Sequence, residues 1–159
     1  MKTLIAFATH HGTTARAAEL LKNELGADAI DLVNIKKQKI TDLSAYNTVI
    51  VGGSIHAGNI QGAVKKFCET HKDVLLTKRA GYFICCMDRS EKEQEQLRNS
   101  YPAALLEKAI ATGCFGGEFR LDKMNFIEKA IIKKIAKISE SVSDIKTDAI
   151  KEFANSFKA

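Results

Sequence analysis

Short unbroken apolar runs recur along this 159-residue chain, and stretches rich in helix formers separate them. Val49-Ile50-Val51 and Tyr82-Phe83-Ile84 are two such runs. A strand that is apolar on both faces has to be covered on both, and a parallel sheet between two helical layers does this. The pattern predicts strands at Lys2–Ala8, Ala29–Val33, Thr48–Gly53, Ala80–Cys86 and Ile110–Phe115. It predicts helices at Thr13–Leu25, Gln61–His71, Ser90–Arg98 with a continuation after Pro102 to Lys108, Lys123–Ile138 and Asp144–Phe157. Ser90-Glu91-Lys92-Glu93 has the spacing of a capping box, which marks a helix start. Alternating strands and helices imply a doubly wound α/β sandwich with its ligand at the carboxyl ends of the strands. No repeat, low-complexity tract or linker divides the chain, so residues 1–159 read as a single domain.

The turn between the first strand and first helix is Ala8-Thr9-His10-His11-Gly12-Thr13-Thr14. The first amides of a helix have no intrahelical acceptor, and the helix dipole adds partial positive charge there. Thr9, Thr13 and Thr14 add hydroxyls, so this loop suits a phosphate. No lysine follows Gly12, as a nucleoside-triphosphate loop would need, and one glycine is too few for a dinucleotide fingerprint. Hydroxyls without a fixed cation fit a monoester phosphate. The simpler alternative is a single threonine capping an ordinary helix. His10 reads as a backbone contributor whose side chain faces water; the role of His11 is open.

The run from Ile5 to Leu21, with Phe7, Thr9, Gly12, Thr14 and Ala18 in place, resembles the flavodoxin signature. Ala6 departs from it, since the family prefers a larger apolar residue. Within flavodoxin-like proteins the chain is most similar to the menaquinone-dependent protoporphyrinogen dehydrogenase group. That similarity rests on Met1-Lys2-Thr3-Leu4-Ile5, on Gly52-Gly53-Ser54-Ile55-His56-Ala57-Gly58 and on the apolar-basic segment before the last helix. The resemblance implies a three-layer sandwich whose five-stranded parallel sheet has the order 2-1-3-4-5. It also implies FMN as cofactor, its phosphate on Thr9, His10, His11, Gly12, Thr13 and Thr14. Ser54, Ile55, His56, Ala57 and Gly58 would lie along the isoalloxazine ring, with Cys86, Met87 and Asp88 at its pyrimidine side. Two glycines in the second loop would let backbone approach the flat ring. A fourth loop, Phe115-Gly116-Gly117, either admits the ring edge or forms a turn.

Electron-carrying flavodoxins usually shield the flavin with aromatic side chains. This chain has no Trp, and Tyr46, Tyr82 and Tyr101 fall outside the expected ring loops. The first functional expectation is therefore an FMN-dependent oxidoreductase that passes electrons between the flavin and a quinone or small organic substrate. The alternative is a flavodoxin that shuttles single electrons between redox protein partners. Neither requires a side chain as general acid or base.

Charge and cysteine content narrow the setting. Net charge is +5, and residues 120–138 hold six basic residues against two acidic ones, a local excess of +4. On a helical wheel Met124, Ile127, Ile131, Ile135 and Ile138 form a core-facing stripe, and Phe126 falls among Lys129, Lys133 and Lys137. An aromatic ring among lysines suits peripheral contact with an anionic membrane, although an ordinary amphipathic helix reads the same way. No motif or stacking surface points to nucleic acid. Cys68, Cys85, Cys86 and Cys114 lack metal-ligand spacing and lie in apolar runs, so they read as buried reduced thiols. No signal peptide or membrane span is visible, and the expected location is cytoplasmic.

Overall fold

Strand β1 (Thr3–Phe7) is buried along its whole length and pairs in parallel with β2 (Ile30–Asn34) and β3 (Thr48–His56). In this computed structural model, which describes residues 2–88, 91–119, 125–130 and 142–158, β3 also takes the two-residue strand β4 (Asn59–Ile60) antiparallel at its end. β5 (Arg79–Cys85) pairs in parallel with β3, and β6 (Ala111–Cys114) with β5. The path is β2-β1-β3-β5-β6. This is the expected order 2-1-3-4-5 of five parallel strands, renumbered because β4 intervenes in the chain.

Helices cover both faces. On one, α1 (Thr13–Leu25) buries Ala17, Ala18 and Leu21, and the C-terminal α6 (Thr147–Lys158) buries Ile150, Phe153 and Ala154. Alanines at 17 and 18 let the α1 backbone lie close to Ile5 and Ile50 of the sheet. On the other face lie α2 (Gly62–Thr70), the single turn α3 (Lys72–Leu75), α4 (Glu91–Ser100) and α5 (Ala103–Lys108). They bury Val64, Phe67, Cys68, Leu75, Leu97 and Leu105 against Leu4, Val49, Val51, Tyr82 and Ile84. Adjacent strand residues point to opposite faces. Cys85 accordingly belongs to the α1/α6 layer and Cys86 to the other, and all four thiols are buried and free.

The start of the last helix differs from the expectation. The last helix begins at Thr147, not Asp144, because Val142–Ile145 forms β8 and pairs antiparallel with β7 (Gly116–Phe119). The turn into β7 is set by Gly116, whose φ is +75° and whose Cα faces the Asp144 carbonyl so closely that a Cβ would collide with it. The expected helix start at Ser90 lies outside the described residues, as does most of Lys123–Ile138.

Gly52 is the tightest point of the sheet. Its partners in register are Phe7 and Phe83, and a Cβ on it would run into the Phe83 ring. That ring stacks on Phe115 at 4.5 Å, and Phe115 in turn meets Phe153 of α6 edge-on at 5.3 Å. Overpacking of this kind costs about 1–3 kcal/mol. Gly52→Ala is expected to lower the urea unfolding free energy by that amount, and an unchanged midpoint would contradict the packing described.

Candidate functional site

The chain leaves β1 and turns into α1 through Gly12, which adopts the left-handed conformation at φ 91° and ψ −5°. Its N–H donates to Thr9 Oγ1 at 2.9 Å, and its carbonyl accepts from Arg16 N–H at 3.0 Å. No side chain caps the helix and its first turn holds no acidic residue. The simple threonine cap is therefore ruled out. Thr9 is instead used to fold the loop, and the leading amides stay available to an anion. Thr14 is fully buried with a hydroxyl that makes no hydrogen bond of good geometry. Burial pushes the neighbouring Cys85 thiol up to about 12, which the Thr14 hydroxyl only partly offsets.

The second wall is not the plain loop expected after Gly53. β3 continues to His56, and Ala57 (φ 50°) with Gly58 (φ 79°) turns the chain back into β4. Two successive positive φ values are what a two-residue hairpin turn with native strand twist requires. Gln61 fixes this wall, its Oε1 accepting from Ser54 N–H at 2.8 Å and its Nε2 donating to Ser54 Oγ at 2.6 Å. The glycine requirement at position 53 is internal. A Cβ there would sit 2.7 Å from Gln61 Oε1 and 2.9 Å from Val64 Cγ2, so Gly53 does not serve approach to a ligand. Gly58 has open space before it.

These walls and the end of β5 enclose a cleft of about 460 Å³. The structure brings together Thr9, His11, Thr13, Ser54, Ile55, His56, Ala57, Gly58, Cys86, Met87 and Asp88 of the expected set. Gly12 shapes the loop, Thr14 points inward, and His10 sits beside the cleft. Lys92, Glu118 and Glu128 also line it, none of them expected, and so does Gly117 of the fourth loop. Lys92 of α4 pairs with Asp88 in the segment after β5 at 3.2 Å. Gln96 also donates to Asp88, at 2.8 Å. Glu118 accepts from Arg16 of α1 at 3.1 Å. The spacing of Asp88 and Lys92 is a signal the sequence offered; Glu118 and Glu128 had none.

The aromatic character of the cleft is imidazole. Tyr46 donates to Asp31 at 2.6 Å, which raises its pKa to about 12, and Tyr101 is buried on the Phe83 carbonyl at 2.6 Å. The rings of His10 and His11 lie 4.1 Å apart, and His56 meets His10 edge-on at 5.0 Å. His10 does not simply face water. Its Nε2 lies 3.3 Å from Glu128 Oε2, and His11 Nε2 lies 2.6 Å from the same oxygen. Burial pushes Glu128 upward, but the hydrogen bond and charge of His11, with those of His10, outweigh it and leave its pKa below the usual carboxylate value. His56 keeps an exposed edge. Partial desolvation, then the charges of His10 and His11, hold it below its ordinary value of 6.5.

Residues 126–130 form a helical turn that delivers Glu128 to these histidines. Phe126 is 86% exposed, as the helical wheel predicted, whereas Ile127, expected to face the core, is 69% exposed. Successive helical residues are turned by about 100°, so directing Glu128 at the loop turns Ile127 outward. The remainder of the basic segment lies outside the described residues. Among the described residues no helix is long and apolar enough to cross a membrane.

A model of the flavodoxin domain matches residues 4–146. A curated relative, the quinone-linked protoporphyrinogen IX dehydrogenase of Leishmania major, is 24% identical over 173 residues, covering 99% of this chain and 75% of that protein. The solved structure of oxidised flavodoxin 2 from Bacillus cereus superposes with a TM-score of 0.62 at 18% identity, covering 99% of this chain and 98% of that one. Two-electron reduced flavodoxin from Megasphaera elsdenii gives 0.58 at 12% identity, covering 96% and 98%.

A depressed His56 has a defined consequence. As pH falls below 6.5 the unfolded chain takes the proton first, so the stability contributed by neutral His56 is complete above 6.5 and is lost between 6.5 and its lower folded pKa. An NMR titration of the His56 Cε1 proton is expected to give a midpoint below 6.5, rising towards it in His10→Asn. A midpoint at or above that value would contradict the electrostatics.

Proposed function

Since the chain belongs to the flavodoxin domain family, we propose that it is an FMN-dependent oxidoreductase exchanging electrons with a quinone or small organic substrate. Family membership implies FMN, and the residues present fit it. The observation that carries the reading is the Gly12-headed helix start opening on the cleft, uncapped and free of acidic residues. The buried, unsatisfied Thr14 hydroxyl belongs to the same loop. A cleft of about 460 Å³ is of ordinary size for a cofactor site.

Bound FMN would supply the hydride and single-electron chemistry, and the protein supplies position and electrostatics. Thr9 and Thr13 present hydroxyls beside the α1 amides to the phosphate. Ser54, locked by Gln61, and the Ala57-Gly58 turn hold a flat wall for the ring. Ile55 would offer apolar contact and Met87 polarisable contact. Among the described residues the cleft lining contains no Tyr, Trp or Phe. A ring held without aromatic covers leaves a face for an organic substrate, and this favours substrate turnover over carriage between proteins. The quinone-linked relative supports the same reading. Exposed Phe126 and Ile127, next to Glu128 at the cleft, suit an apolar substrate or the membrane that holds it.

Anaerobically photoreduced holoprotein is expected to be reoxidised by menaquinone analogues in a saturable reaction. Reoxidation by redox proteins alone would establish the carrier role instead. The phosphate site has its own test in FMN fluorescence quenching. Thr13→Val removes one hydrogen bond to a charged group, worth about 1.5–3 kcal/mol, and is expected to weaken FMN about 10- to 100-fold. Equal affinity in the variant would move the phosphate elsewhere.

A further inference from the structure

At the rim of the cleft, two imidazoles and a carboxylate converge. We propose that His10, His11 and Glu128 bind one divalent transition-metal ion of the zinc type. Both Nε2 atoms address the same carboxylate oxygen, His11 at 2.6 Å and His10 at 3.3 Å. One donor atom from each residue lies within 4.8 Å of the other two. Tetrahedral zinc with bonds of about 2.0–2.1 Å places its donors about 3.3 Å apart. The group is therefore near ligand spacing before any ion enters. Among the described residues this is the one grouping of three such donors.

The donor chemistry selects the ion. Two neutral nitrogens and one carboxylate suit zinc, cobalt or nickel, whereas magnesium and calcium need oxygen ligands. Three protein ligands also leave a coordination position for water or an outside ligand. The loop is held in place before binding. Gly12 is tied to Thr9, and the His11 side chain is only 11% exposed. His56 supports the group without joining it, since its Nε2 is engaged with Ser54 Oγ at 3.2 Å while its ring edge backs His10. The opposing charge is Lys36, whose Nζ reaches the Thr9 carbonyl at 3.5 Å; the Glu128 carboxylate offsets it. The ion takes unprotonated Nε2 lone pairs and the ionised Glu128 carboxylate, with each imidazole N–H placed on Nδ1, so binding weakens in acid.

This inference does not rest on the flavin reading, and the test keeps the two apart. Tag-free chain, as apoprotein and after FMN loading, is titrated with Co²⁺ and Zn²⁺. Apoprotein is expected to take one equivalent of Co²⁺ with the intense visible absorption of a four- or five-coordinate site. Zn²⁺ is expected to displace Co²⁺ and to shift the Nε2 ¹⁵N resonances of His10 and His11. His71, bonded to the Ile40 carbonyl at 3.1 Å, is the internal control and should not shift. Loss of a supporting contact alone weakens metal sites 10- to 100-fold, so Glu128→Gln and His11→Asn should each cost at least about 100-fold. Glu128→Gln keeps the shape of a partly exposed side chain, and together with the ¹⁵N shifts it decides the matter should His11→Asn fold poorly. Unsaturable binding, affinity unchanged in Glu128→Gln, or shifts confined to His56 and His71 would each overturn the proposal. FMN binding without metal binding would do the same and leave the flavin reading intact.

Discussion

The left-handed turn at Gly12 is the constraint on which the site depends. A residue with a side chain would resist φ of 91°, and the chain would then enter α1 along another path. Thr9 closes the turn by accepting the Gly12 amide, which spends one threonine on shape and leaves the helix uncapped. The leading amides are thus left uncapped, and a helix that buries Ala17, Ala18 and Leu21 against the sheet fixes their direction.

Packing fixes the shape of this end of the molecule. Phe7, Gly52 and Phe83 lie in one row across β1, β3 and β5. A stack of Phe83, Phe115 and Phe153 links that row to α6. Gly53 gives room to Gln61, and Gln61 fixes Ser54 at the start of the second wall. A small residue in the core is in this way coupled to the orientation of the cleft residue that follows it in the strand. The turn that follows holds Ala57 at a positive φ, which is costly for any residue with a Cβ and is sustained by the β3–β4 pairing on either side.

The electrostatics of the cleft are unusual for a basic chain. Its charged lining is mixed: Lys92 answers Asp88, Arg16 answers Glu118, and Glu128 gathers two histidines. Among the described residues, every carboxylate lining the cavity has a partner of opposite or potentially opposite charge. The hydroxyl residues Thr9 and Thr13 line the cleft, with the imidazoles of His11 and His56 beside them. Tyr46 is committed to Asp31 and Tyr101 to the interior, so neither adds an aromatic ring to the cleft.

The layers, the strands and the strand–turn–helix around Gly12 were legible in the chain because each is written in local pattern: apolar runs for β1, β3 and β5, alanines and leucines for α1, and threonines around one glycine. Ser54–Gly58 and Cys86–Asp88 were expected from the family resemblance, and they line one cleft because strand ends in such a sheet converge on one edge. What only the tertiary structure decided was contact across long separations. Val142–Ile145 becomes a strand because Gly116–Phe119 is there to pair with it, and no local preference announces that. Ile127 turns outward against its periodicity because Glu128 is drawn to His10 and His11, more than a hundred residues earlier. Hydrophobic period reports which face of a segment prefers burial; it carries no record of which distant side chain will claim the residue beside it.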